Sequence, residues 1–137
     1  MRGYNIAVIP GDGIGMEVLP EGIKALNAAQ QVAGGFEMRF EEFPWGSEFY
    51  LKTGRMMPED GLKILEKFDA IYLGAVGMPK LVPDNITLWG LLLPIRKSFQ
   101  QYINLRPIRL LPGLQGPLKG KGPDDINFVC VRENSEG

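Results

Sequence analysis

Three arginines set the chemical question in this chain: Arg96, Arg106 in Asn104-Leu105-Arg106-Pro107, and Arg132 in Val131-Arg132-Glu133-Asn134. A guanidinium is a planar fork of N–H donors that grips a carboxylate through two parallel bonds, so several together suit a dicarboxylate. Arg106 precedes Pro107, which pushes its backbone to an extended conformation. Alternation then puts Asn104 and Arg106 on one face, with Leu105 on the other. In the run Phe128–Glu133, Val129 and Val131 share the apolar face and Arg132 lies on the opposite one. Arg96 closes a nearly all-apolar stretch. The plain alternative is three separate ion pairs with Asp and Glu, and spacing alone leaves it open.

The second feature is the loop Gly11-Asp12-Gly13-Ile14-Gly15, set between an apolar run and a helical stretch. Glycines there allow a sharp turn and close approach by another group. The following helix start offers N–H groups and partial positive charge to an anion or a polar ligand edge. The even glycine spacing is neither the dinucleotide fingerprint GxGxxG nor the phosphate loop GxxxxGK[ST]. A tight turn with no ligand is the competing reading, with Asp12 tying down its own turn.

Composition removes other chemistries. With no histidine there is no Ser-His-Asp or Cys-His pair and no imidazole-bound metal. The single cysteine, Cys130, forms no intrachain disulfide and suits a reducing, cytoplasmic setting; on a strand it reads as a small buried hydrophobe. Fifteen Lys+Arg against sixteen Asp+Glu give a net charge of −1, which argues against a nucleic-acid module. No stretch approaches the roughly 20 apolar residues of a membrane helix. The N-terminus lacks signal-peptide anatomy. Glu41-Glu42 and Asp124-Asp125 read as solvated surface, Trp45 and Tyr50 as packing anchors.

These residues need elements to hold them. Tyr4–Pro10 is a short apolar run that reads as a strand buried on both faces. A helix follows from about Met16 to Ala33, closed by Gly34-Gly35, with Pro20 tolerated in its early turns. Phe36–Phe43 alternates as a half-exposed, edge-type strand. Pro58 opens a second helix, and Asp69–Val76 is another buried strand. This rhythm predicts an α/β layer with a parallel sheet. Leu88–Phe99 predicts a helix kinked or restarted at Pro94. Tyr102–Leu110 and Ile126–Glu133 predict two strands joined by a Pro/Gly-rich loop, with a domain crossing near Gln100–Gln101. The chain stops on Glu133–Gly137 with no terminating element, which reads as a truncation.

Taken in order, Ile9–Gly15, Gly74–Gly77, Leu91–Lys97, Asn104–Pro107 and Val131–Gly137 resemble the β-decarboxylating dehydrogenases, enzymes of isopropylmalate, isocitrate, D-malate or tartrate. Val82–Gly90 and Met56-Met57-Pro58 are most similar to the tartrate/D-malate branch. The resemblance covers essentially the whole chain and implies an α/β, isopropylmalate dehydrogenase-like fold that is not a Rossmann fold. Residues 1–100 would be the N-terminal part of the first domain and 101–137 the beginning of a second.

The same resemblance implies NAD-dependent oxidation of a 2-hydroxy dicarboxylate such as tartrate or D-malate, with decarboxylation where the substrate allows it. It assigns Arg96, Arg106 and Arg132 to the substrate carboxylates. Leu88, Trp89 and Leu92 go to the substrate's distal substituent, and Ile14 with Gly74, Ala75, Val76 and Gly77 to the nicotinamide side of NAD. It implies a homodimer and a Mg2+ or Mn2+ ion. The family's catalytic tyrosine and lysine and its metal-binding aspartates match no position here, so no catalytic residue or metal ligand is assigned. The competing expectation is a catalytically inactive fragment that persists as a folded dicarboxylate- or nucleotide-binding, or self-associating, module. A third reading is an anion-binding α/β regulator.

Overall fold

The computed structural model describes residues 2–135. The chain separates into two compact units, Met1–Ile95 and Arg96–Gly137. That division precedes the Gln100–Gln101 crossing expected from sequence and leaves Arg96 with the second unit.

In the first unit, strand β1 (Arg2–Gly11) is followed by helix α1 (Gly15–Ala33) and strand β2 (Phe36–Glu42). Short helices α2 (Ser47–Thr53) and α3 (Gly61–Leu65) lead to strand β3 (Ala70–Ala75). The three strands form a parallel sheet in the order β2-β1-β3. β1 is central, and Ala7, Val8 and Ile9 are consecutively buried, so both its faces are covered, as its unbroken apolar run predicts. β2 alternates half-buried and exposed residues at the sheet edge, as its pattern requires. Leu19 of α1 joins a core with Trp45, Met56, Leu65, Val82, Leu91 and Ile95. Pro20 lies inside α1 without ending it. Trp45 is a packing anchor, its ring 4.7 Å from that of Phe43, which meets Phe68 edge-on.

Three stretches depart from the sequence expectation. α2 was not foreseen, and the helix expected from Pro58 forms only at Gly61–Leu65, after a turn in which Gly61 N–H donates to Pro58. The run after Val82 folds as helix α4 (Asp84–Thr87), a π-helical turn at Leu88–Leu92 and helix α5 (Leu93–Ser98). The π-helical turn lies just before Pro94, and the α-helix restarts at Leu93, one residue from the restart expected there. Leu93 N–H donates to the Leu88 carbonyl, one residue beyond the α-helical partner. Pro94 has no N–H to give, and the widened turn before it accommodates its ring.

The second unit is built on an antiparallel ribbon of β4 (Ile103–Arg109) and β5 (Asn127–Glu133). Its register runs from Ile103 opposite Glu133 to Arg109 opposite Asn127, with Pro107 opposite Val129. Asn134 staples one end: its side chain donates to the Gln101 carbonyl and accepts from Asn104.

Candidate functional site

Strand order places the first candidate region. In an open parallel sheet, ligands bind beyond the carboxyl ends of the strands, where the chain winds to either side of one strand. Here that strand is β1, and Gly11 at its end pairs with Ala75 at the end of β3. The glycine loop and the Gly74–Gly77 turn therefore lie side by side. Asp12 N–H donates to the Ala75 carbonyl at 2.6 Å.

The glycines divide by task. A Cβ on Gly15 would stand 2.1 Å from the Pro10 carbonyl oxygen and 2.6 Å from Ala75 N; one on Gly74 would stand 2.3 Å from Pro10 O. These two serve the packing of the loop on β3. Gly13 and Gly77, both at positive φ, face open space, with nothing nearer than 3.9 Å to a Cβ at either. Ile14, which follows Gly13, is 64% exposed. Exposed backbone and one apolar side chain at the strand ends fit a flat ring laid against them, the chemistry expected of a nicotinamide. The helix start does not fit an anion. Gly15, Met16 and Glu17 N–H donate to the Asp12, Gly13 and Ile14 carbonyls, so the first-turn donors are already used.

Asp12 does more than brace its own turn, the role expected for it. It is buried, and its Oδ1 accepts from Ser47 N–H at 2.6 Å. Its Oδ2 accepts from Ser47 Oγ–H at 2.8 Å and from Gly77 N–H at 2.9 Å. Ser47 begins α2, so this carboxyl caps a helix 35 residues away in sequence.

Leu88, Trp89 and Leu92 lie on the π-helical turn. Trp89 lines a cavity of about 500 Å³ with Tyr50, Met57, Asn85 and Ile86; Leu88 and Leu92 do not. Gly90 is seated directly on Met56, where a Cβ would come within 2.6 Å of its Cγ. Pockets of this size hold small molecules.

The arginines belong to the second unit. Arg106 is paired with Cys130 and Arg132 with Asn104, so Asn104, Arg106, Cys130 and Arg132 share one face of the ribbon. Diagonal neighbours on such a face lie roughly 7–8 Å apart, within reach of long side chains. Both guanidiniums can therefore address one dicarboxylate. Arg96 sits in the last turn of α5, where its carbonyl accepts from Gln101 N–H at 2.9 Å. Among the described residues no ion pair reaches any of the three arginines; the pairs present join other side chains. Among the described residues, the alternative of three structural ion pairs finds no partner. Cys130 is exposed, a correction to the buried role expected of it. It shares the arginine face by parity, and the ribbon leaves that face open.

Among the described residues no group of three or more His, Cys, Asp or Glu side chains could hold a metal ion, so the residues here do not fit a Mg2+ or Mn2+ cage. No helix among them is long and apolar enough to cross a membrane. Glu136 and Gly137, the end of the last quoted motif, lie outside the described residues.

A parallel three-stranded sheet with an open glycine turn makes one α/β unit, and an arginine-bearing antiparallel ribbon makes a second. The family model described as isocitrate/isopropylmalate dehydrogenase matches residues 5–137, and the chain belongs to that family. It is 57% identical to a probable tartrate dehydrogenase/decarboxylase of Agrobacterium vitis over 137 residues. It is also 57% identical to the decarboxylating D-malate dehydrogenase of Escherichia coli strain K12. Each match takes in 100% of this chain and 38% of the relative, so the chain spans little more than a third of their length. The apo crystal structure of a β-decarboxylating dehydrogenase from Thermococcus kodakarensis matches 98% of this chain and 35% of its own, with a TM-score of 0.60 and 33% identity.

Proposed function

We propose that this chain supplies the carboxylate grip and the nicotinamide-side turn of an enzyme that oxidises a 2-hydroxy dicarboxylate, tartrate or D-malate, with decarboxylation where the substrate permits. The observation that carries the reading is the pair Arg106 and Arg132 on one ribbon face, with no carboxylate of the described residues paired to either. Two guanidinium forks held by a strand pair recognise two carboxylates at fixed spacing, and Arg96 adds a third. Fixing both ends of the substrate orients the hydrogen on C2, which is chiefly a gain from positioning. NAD, when bound, accepts that hydrogen as hydride. Ile14 and the turn Gly74, Ala75, Val76 and Gly77 would hold its nicotinamide side. Trp89, with Leu88 and Leu92, would read the substrate's distal substituent.

We assign residues 1–100 to a first domain and 101–137 to the start of a second, with a cytoplasmic homodimer as the working assembly. The relatives' names, which refer to tartrate and D-malate, support the substrate class. No step is derived through a metal ion. The uncovered ribbon favours a second reading, a self-associating dicarboxylate-binding module without turnover. Mixing the chain with D-malate, NAD and Mn2+ and following NADH absorbance separates the two.

The grip itself is tested by calorimetric titration with D-malate. Arg106→Ala is expected to weaken binding at least about tenfold, as befits a lost charge-assisted bond, and to leave NADH affinity alone. Unchanged D-malate affinity in the variant removes the basis of the assignment.

A further inference from the structure

We infer that Asp12 is a positioning residue for the cofactor turn, acting through the Gly77 N–H; this rests on the cofactor reading of Gly74–Gly77 given above. A buried carboxyl is costly unless donors surround it. Asp12 is 3% exposed, and its three donors come from two segments outside its own loop, Ser47 at the start of α2 and Gly77 after β3. The packing is made for it. Gly46, at φ 151°, has no Cβ, and one placed there would lie 2.8 Å from Asp12 Oδ1.

Gly77 needs such a tether. The β1–β3 ladder ends at the Gly11–Ala75 pair, and Gly77 has neither a side chain nor an ordinary φ to fix it. The Asp12 carboxyl is the partner of its N–H at 2.9 Å, so this bond sets where the open backbone of the turn lies. Ile14, two residues along from Asp12, is carried by the same loop. One carboxyl thereby holds the two parts of the proposed nicotinamide surface in register and anchors both to α2.

The substitution Asp12→Asn separates these jobs. A carboxylate offers two acceptor oxygens and an amide only one, so Ser47 N–H and Gly77 N–H cannot both be satisfied. Ser47→Ala removes the hydroxyl bond and keeps both backbone bonds. Four readouts are compared: thermal midpoint, the Gly77 amide resonance and its exchange rate, NADH affinity by fluorescence, and D-malate affinity.

The inference expects Asp12→Asn to shift the Gly77 amide, speed its exchange and weaken NADH roughly tenfold, with D-malate affinity unmoved. Ser47→Ala should lower the thermal midpoint yet hold NADH affinity within about twofold. NADH binding as tight as to the unsubstituted chain in a variant whose Gly77 amide has shifted, Asp12→Asn or Asp12→Ala (which leaves Gly77 N–H no carboxyl acceptor), overturns the inference and leaves the cofactor reading standing. No NADH binding by the unsubstituted chain overturns the cofactor reading and the inference with it. Should Asp12→Asn not fold, the unsubstituted chain decides: its Gly77 amide must shift as NADH is added, and a still amide beside bound NADH counts against the role.

Discussion

The two units hold their apolar residues in opposite ways. In the first, Ala7, Val8 and Ile9 follow one another out of water, and Leu19, Leu65 and Leu91 are buried as well. In the second, Ile103, Leu105, Val129 and Val131 lie on one face of the ribbon, each more than half exposed. Phe128, at 53% exposure, lies on the arginine face. A lone two-stranded ribbon is marginal in water. The first unit is thus held by burial, while the second is held by its ladder and the Asn134 staple. The contrast matters for function, because the proposed cofactor turn belongs to the unit with the buried core and the proposed carboxylate grip to the unit with the least core.

The contrast is sharpest under truncation of single side chains. Ile9→Ala, at 0% exposure, is expected to cost about 2–5 kcal/mol in denaturant unfolding. Val131→Ala, at 65% exposure, should cost no more than about 0.5 kcal/mol. Equal losses would mean that the ribbon is covered in solution. Next comes Gly15→Ala, which drives a methyl against Pro10 O and Ala75 N. Its expected cost is about 1–3 kcal/mol, and amide exchange should rise around the glycine loop and leave β4 and β5 unchanged.

The smallest effect belongs to the ribbon's long connection. The Gly122 N–H, then the Lys121 ammonium, holds the Asp125 carboxyl below its ordinary value of 3.8. A carboxyl lowered by folding adds stability that is complete above that value and fades as pH falls below it, through the lowered one. Protection of the Gly122 amide should follow this course, and Asp125→Asn should flatten it without moving the unfolding of the parallel sheet.

Where structure was legible in the sequence, a local pattern sufficed. The apolar run Tyr4–Pro10 became the interior of β1, α1 ran to Ala33 as its spacing and Gly34-Gly35 required, and β2 kept its alternation. Parity set which residues share a face within β4 and within β5, but that Arg106 and Arg132 fall on the same face of the ribbon is fixed only by the register of the pair. What stayed hidden depends on distant partners. α2 is seven residues long, and its start is capped from Asp12, so no nearby residue announces it. The π-helical turn adds a residue to a run whose composition reads as ordinary helix; Pro94 marked where the α-helix restarts, and nothing local announced the widened turn before it. Cys130 was misplaced because an apolar residue on a strand is buried only if something covers that strand.

Pro107 carries a consequence for the ribbon's fate at high concentration. Leu110 N–H donates to Ile126 O, which makes the even-numbered residues of β4 the ones bonded across to β5 and turns position 107 toward the outer edge. That edge therefore lacks a donor midway along its length. Stacking of chains into a fibril, which an uncovered ribbon with apolar sides would otherwise invite, is blunted along β4 and left to the margin of β5.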